Sequence, residues 1–121
     1  MREQIVKGTR GRYSNDEKEV LLSLQGKQIV QVAIRFANQS WLKVSNSGYV
    51  GFEIDREMKQ LFFVSADKDT GYKLTGEVST RTAKFTTHNS EEWKPFTGNY
   101  VLLKDQISGD YYIDLTKGAK A

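Results

Sequence analysis

The chain has 121 residues, 38% of them hydrophobic and 27% charged, with a net charge of +3, a mean hydropathy of −0.58 and no Cys. Such a composition suits one water-soluble domain with a modest core. It excludes disulfides, thiolate nucleophiles and Cys-ligated metal, and no apolar run approaches the roughly 18 residues that a membrane helix needs.

The N-terminus reads as a basic arm over residues 1–12, where Arg2, Lys7, Arg10 and Arg12 stand against Glu3. It has no apolar h-region, so no signal peptide is expected. Basic and acidic side chains cancel over 13–121, so the arm holds the whole net charge. "KGTRGRYSN" alternates Gly with Lys, Arg and Tyr, as in segments that are solvated or that order on a polyanion. Residues 13–121 are expected to form a single β-rich domain.

"SNDEKEVLLSLQG" fits two structures. Ser14 as N-cap, Glu17 in a capping box and Gly26 at C′ would make a helix. Val20, Leu22 and Leu24 would make a strand that turns at "QGK", with Leu22 opposite Val30 and Val20 opposite Val32. The shared apolar face favours the strand. Val30, Val32, Ile34 and Phe36 then alternate with Gln31, Ala33 and Arg35 as a second strand. "ANQSW" (37–41) reads as a bulge or one helical turn. In "WLKVSNSGYVGFEID" (41–55), Gly48 ends a three-residue loop that needs a positive φ. That register pairs Val44 with Val50 and Leu42 with Phe52 inside, and leaves Trp41, Lys43, Tyr49 and Gly51 outside. Gly51, opposite Lys43, would leave a gap for a flat ligand.

Further hairpins are expected to turn near 55–59, at Asp69-Thr70-Gly71 and at Ile107-Ser108-Gly109. The last would pair Leu103 with Ile113 and Val101 with Leu115, placing Lys104 and Tyr112 together outside. Within the Thr-rich 76–99 segment, "STRTAKFTTH" reads as an exposed edge strand. Ser90 reads as the cap of a short turn through Glu91, Glu92 and Trp93, which Pro95 stops. No internal repeat is visible. The expected fold is all-β and mainly antiparallel, a small OB-like barrel or a highly curved meander sheet with at most one or two short helical turns.

No catalytic constellation stands out. His88 is the only His, set in "TTHNS" as a surface or capping residue, and a zinc site would need carboxylates at an unusual spacing. "DKDTG" (67–71) lacks the spacing and bidentate Glu of an EF-hand, and a turn explains it. Neither a Walker A nor a G-x-G-x-x-G sequence is present. A non-enzymatic protein without metal or cofactor is expected.

Among 14 aromatics, Phe36, Phe52 and Phe62 fall on the inferred core face. Trp41, Tyr49 and Tyr112 face outward, and so does Phe63, which is out of phase with Phe62 and Val64. With Arg35, Lys43 and Lys104 on outward positions, and Arg10, Arg12 and Tyr13 at the arm, they make a candidate nucleic-acid site. Bases stack on such rings at about 1–3 kcal/mol each while Lys and Arg track the backbone. Outward aromatics also suit a packed second sheet or a homodimer or higher-oligomer interface.

In size, all-β meander, absence of Cys and His chemistry, and the basic-aromatic strands around "QVAIRFANQSWLKV" and "YVGFEID", the chain resembles the small β-barrel single-stranded DNA-binding proteins encoded by phages of Gram-positive bacteria. The resemblance implies an OB-like fold, sequence-tolerant binding of single-stranded DNA in replication or recombination, and a host-cytoplasmic location away from membranes. The ending "DLTKGAKA" departs from the acidic tail of many such proteins, so partner recruitment would differ. "VAIRF", "NQSW" and "YVGFEIDREMKQLFFVSA" are also similar to phage and plasmid proteins of AbrB-like layout, which implies a regulator that binds duplex DNA on a dimeric scaffold. A phage protein-interaction or inhibitor module is a third alternative.

Overall fold

The computed structural model describes residues 19–118; Arg10, Arg12, Tyr13, Ser14 and Glu17 lie outside the described residues. β1 (Val20–Gln25) and β2 (Val30–Phe36) form a hairpin, as the strand alternative requires. A helical turn, α1 (Trp41–Val44), leads to a second hairpin of β3 (Tyr49–Asp55) and β4 (Gln60–Ser65). β5 (Tyr72–Lys73) and β6 (Thr75–Gly76) are two pieces of one bent segment, followed by β7 (Arg81–Thr87). A second turn, α2 (Ser90–Trp93), continues into a 3-10 turn at Lys94–Phe96. β8 (Gly98–Tyr100) and β9 (Leu103–Lys104) form another bent segment, which precedes β10 (Tyr111–Asp114) and a 3-10 turn at Leu115–Lys117.

The strands build two five-stranded sheets, ordered β6-β7-β2-β1-β8 and β5-β3-β4-β10-β9, and every pairing is antiparallel. The expectation of an all-β, mainly antiparallel fold with short helical turns is borne out. The bent segments cross between sheets at Leu74 and at Val101–Leu102. Between the sheets lies one core, to which the first contributes Leu22, Ile34 and Phe36 and the second Leu61, Phe63 and Ile113. The Phe36 and Phe63 rings meet edge to face at 5.1 Å. Burying each such side chain is worth about 1.5–3 kcal/mol, so this apolar layer is what joins the sheets.

Several expectations are corrected. Leu22 pairs with Ile34 rather than Val30. The slip is even, so the apolar face survives. Leu103 pairs with Tyr112 rather than Ile113. That slip is odd, so it sends Lys104 and Tyr112 to opposite faces. Trp41 is not on a strand. Positive φ at Asn38 and Gln39 (54° and 60°) swings the chain into α1, where the period is 3.6 rather than 2. Trp41 and Val44, three apart, are therefore buried, and Leu42 is 55% exposed. The indole Nε1 of Trp41 donates to the Val78 carbonyl at 2.7 Å, and the Arg81 guanidinium lies 4.1 Å above its ring. In β4 it is Phe63 that is buried, and Phe62 that faces out. Gly48 and Gly109 take the expected positive φ, but β5 pairs with β3, not with β4. β7 lies between β2 and β6, but β6 covers only Arg81 and Thr82, so over residues 83–87 β7 is the open edge that was expected. Asn89, rather than Ser90, caps α2, and the chain continues helically past Pro95.

The pairings disclose an internal repeat that the sequence reading missed. β1–β4 with α1 map onto β5–β10 with α2 in the same order. Each element keeps one offset: 52 residues from β1 to β5–β6, 49 from β2–α1 to β7–α2, and 50 from β3–β4 to β8–β10. Under those offsets the registers of the two repeats agree wherever both are paired. Ser23–Ala33 becomes Thr75–Thr82, Leu21–Asn99 becomes Lys73–Tyr49, and Ile54–Leu61 becomes Lys104–Tyr111. Ile34–Ala83 and Phe62–Tyr112 map onto themselves, so a pseudo-two-fold axis passes through both. The caps Ser40 and Asn89 correspond, as do the turn residues Asp55 and Asp105 and the positive-φ residues Lys59 and Gly109.

Trp41→Ala should lower stability by about 3–5 kcal/mol, read by urea unfolding; a loss below about 1 kcal/mol would place the indole outside the core. The buried Tyr100 hydroxyl donates to the Phe96 carbonyl at 2.5 Å. Burial, followed by the Asp114 carboxylate, pushes its phenol from 10.0 up to about 12. The folded state thus holds this proton more tightly. Its stabilising effect is complete below pH 10 and should be lost as pH rises toward 12. Tyr100→Phe should remove that alkaline step from a urea-unfolding series across this range.

Candidate functional site

Among the described residues, the structure disperses the expected nucleic-acid site. Trp41 and Phe63 are buried. Lys43 is exposed but pairs with Glu19 at 3.2 Å. Arg35 faces out from the first sheet, whereas Tyr49 and Tyr112 lie on the outer face of the second. Lys104 sits at the second sheet's edge, 5.8 Å from the Tyr111 ring. The gap expected at Gly51 is filled, because a Cβ there would lie 2.8 Å from Val64 Cγ2.

The two outer faces differ in chemistry. On the first sheet, strand alternation sends Gln31, Arg35, Thr82, Lys84 and Thr86 outward with no carboxylate or ring among the paired positions. Arg35 and Lys84 are counterparts across the pseudo-axis and diagonal neighbours, about 7–8 Å apart by sheet geometry. On the second sheet, Tyr49, Phe62 and Tyr112 share the outer face with Lys73 and with Glu53, Asp55 and Asp114. The Phe62 and Tyr112 rings lie 5.1 Å apart.

A third feature is a cleft of about 390 Å³ between β3 and β7. Phe52, Phe85 and Trp93 form its floor, with Phe52–Phe85 at 4.9 Å and Phe85–Trp93 at 5.4 Å. Tyr72, 44% exposed, stands at its mouth. An Arg56–Glu92 ion pair divides it from a smaller cavity of about 220 Å³. The walls are strand edges. Leu74 N–H donates to Gly48 C=O at 2.9 Å, so alternation directs the polar backbone groups of Val50, Phe52 and Ile54 to that same side. β5 covers only Tyr49 and Val50, and β6 covers only Arg81 and Thr82 of β7.

The cleft is where the pseudo-symmetry fails. In the first repeat, Val20 pairs at once with Phe36 and Tyr100. Its counterpart Tyr72 pairs with Val50 alone. The residue before β1 then closes the gap. The Glu19 carbonyl accepts from Ala37 N–H at 2.8 Å and from Ser40 Oγ at 3.2 Å. Its carboxylate accepts from Leu102 N–H at 3.1 Å and from Lys43 Nζ at 3.2 Å. The counterpart of Glu19 is Gly71, which has no side chain. Substitution there is blocked, since a Cβ would meet the Ala66 Cβ at 2.5 Å. The chain arrives at Gly71 from a turn in which Asp67 Oδ1 accepts from Asp69 N, Thr70 N and Thr70 Oγ1. The Thr70 hydroxyl and these amides hold the Asp67 carboxyl below its ordinary range.

The cleft residues Tyr72, Phe85, Trp93 and Arg56 were not singled out by the sequence reading. The signal that could have found them is the repeat itself: "RF" before the cap Ser40 and "KF" before the cap Asn89, then Gly48 and Gly98, then Asp55 and Asp105. No group of three or more His, Cys, Asp or Glu able to hold a metal occurs among the described residues. No family model, curated protein or solved structure matches the chain.

Glu19→Ala should cost about 1–3 kcal/mol, because it strips the partner from Leu102 N–H. Urea unfolding measures this, and a variant as stable as the parent would deny Glu19 its closing role.

Proposed function

We propose that this chain is a non-enzymatic nucleic-acid-binding protein that uses the outer face of the first sheet against the phosphate backbone. The observation that carries the reading is the Arg35–Lys84 pair. Two cations stand side by side with no carboxylate at the paired positions of that face, and neither has an ion-pair partner among the described residues. Such a pair favours an anion between or beside it. The basic residues of the 1–12 arm add to the same electrostatic attraction. Because the pair straddles a pseudo-two-fold axis, the reading leans toward duplex DNA, whose backbone has its own local two-fold symmetry.

Single-stranded DNA binding on an OB-like barrel is the second reading. What favours it is the ring row of Tyr49, Phe62 and Tyr112, together with strands that pass from sheet to sheet. Three carboxylates against one cation, Lys73, leave that face net acidic and repulsive to phosphate, which is why duplex DNA is placed first.

Competition between oligo-dT and a duplex of matched length, at several salt concentrations, tests both. Arg35→Gln and Lys84→Gln should each weaken duplex binding and reduce the log–log salt slope by about 1. Stability should stay within about 0.5 kcal/mol of the parent. If oligo-dT wins and the slopes do not move, the first-sheet reading fails in favour of the ring row. If neither nucleic acid binds at low salt, both fail.

A further inference from the structure

We propose that the cleft between β3 and β7 docks an extended peptide that carries a carboxylate, a site separate from the first-sheet face. The occupant is indicated by the first repeat, where the equivalent place is filled by the chain itself. There Glu19 lies between the end of β2 and the free edge of the β8–β9 segment, bonding Ala37 N–H and Ser40 through its backbone carbonyl and Leu102 N–H through its carboxylate. The counterparts of Ala37, Ser40, Leu102 and Lys43 are Thr86, Asn89, Phe52 and Glu92, and all four line the cleft. The second repeat therefore keeps the receiving side of the arrangement and has lost the residue it received.

The walls suit strand addition. Phe52 and Ile54 direct their backbone polar groups at the cleft. Thr75 Oγ1 donates to Thr82 C=O at 3.3 Å on the β6 side, so alternation turns Lys84 and Thr86 the same way. An extended segment entering between them would gain main-chain hydrogen bonds on either side and seat a side chain on the floor of Phe52, Phe85 and Trp93. One charge differs between the repeats. Lys43, which meets the Glu19 carboxylate, is replaced by Glu92, and Glu92 is held by Arg56. An incoming carboxylate takes the Phe52 N–H and competes with Glu92 for Arg56. The cleft thus selects a negatively charged side chain on an extended backbone, and Glu92 sets how tightly it is held.

The test is a titration of the isotope-labelled full chain, followed by backbone amide NMR. The probe is an acetylated, amidated peptide with the sequence of residues 16–22, DEKEVLL, and its analogue with Gln in place of Glu19. Saturable shifts are expected at the Phe52 and Thr86 amides. The Gln analogue should bind about tenfold more weakly, the loss of one charge-assisted hydrogen bond. Glu92→Gln, which frees Arg56, should tighten binding several-fold, and Arg56→Gln should weaken it. Both side chains are at the surface, so either variant should fold. The proposal is overturned by equal affinity for the two peptides, or by the absence of shifts at Phe52 and Thr86. It also fails if the shifts appear at Leu102 and Ala37, which would mean the peptide had displaced Glu19. Oligo-dT moving the Phe52 and Thr86 amides in the peptide's stead would make the occupant a nucleic acid and refute it too.

Discussion

The β2–β7 and β4–β10 ladders hold this protein together, because each pairs a strand of one repeat with its own counterpart in the other. Neither repeat contains a closed core. The first contributes Leu22, Ile34 and Phe36 to one sheet and Leu61 and Phe63 to the other, and the second covers both sets with Ala83, Phe85, Tyr100 and Ile113. A β-hairpin alone in water is marginal, and it becomes stable when its apolar face is covered. The two repeats therefore depend on each other, along the ladders that cross the pseudo-axis at Ile34–Ala83 and Phe62–Tyr112.

The same constraint makes departures from symmetry informative. Packing forces the two repeats to agree in register, but it does not force them to agree in charge or in strand length at the rim. Arg35 and Lys84 keep a like charge at equivalent outward places. Lys43 and Glu92 reverse it. β1 runs unbroken while its counterpart bends at Leu74, and Glu19 has become Gly71. Those last differences turn a sealed corner into an aromatic cleft with open strand edges on both walls. The Arg35–Lys84 pair and the ring row of Tyr49, Phe62 and Tyr112 end up on different sheets, so they do not form a single stacking platform.

Much of the fold was legible along the chain. Alternation located the strands of both long hairpins, and Gly48 and Gly109 took the positive φ expected of them, although Gly48 follows a helical turn and does not close a hairpin. What alternation could not give was register across a loop of unknown length. A slip of four at Leu22 left the inner face intact, whereas a slip of one at Leu103 exchanged Lys104 and Tyr112. Trp41 was misplaced because two residues of positive φ change the period from 2 to 3.6 within one turn; Asn38 is a residue type that takes that conformation, but Gln39 is not. Phe62 and Phe63 are adjacent and equally apolar, so only the partner strand could decide which points inward. The repeat escaped notice because its three offsets differ and few identities remain; the shared property is a pattern of pairings, not of residues.

Sequence alone thus determined the elements: a Cys-free, antiparallel β protein with Gly-ended turns and two short helical turns. These follow from local sterics and side-chain periodicity, which each segment carries within itself. The tertiary structure decided which face each aromatic took, that the chain folds as two interlocked copies of one unit, and that Glu19 seals one copy while Gly71 leaves the other open. Those outcomes depend on contacts between residues about 50 or more apart, such as Glu19 with Leu102. Their energies come from burial and from hydrogen bonds that exist only once both partners are in place.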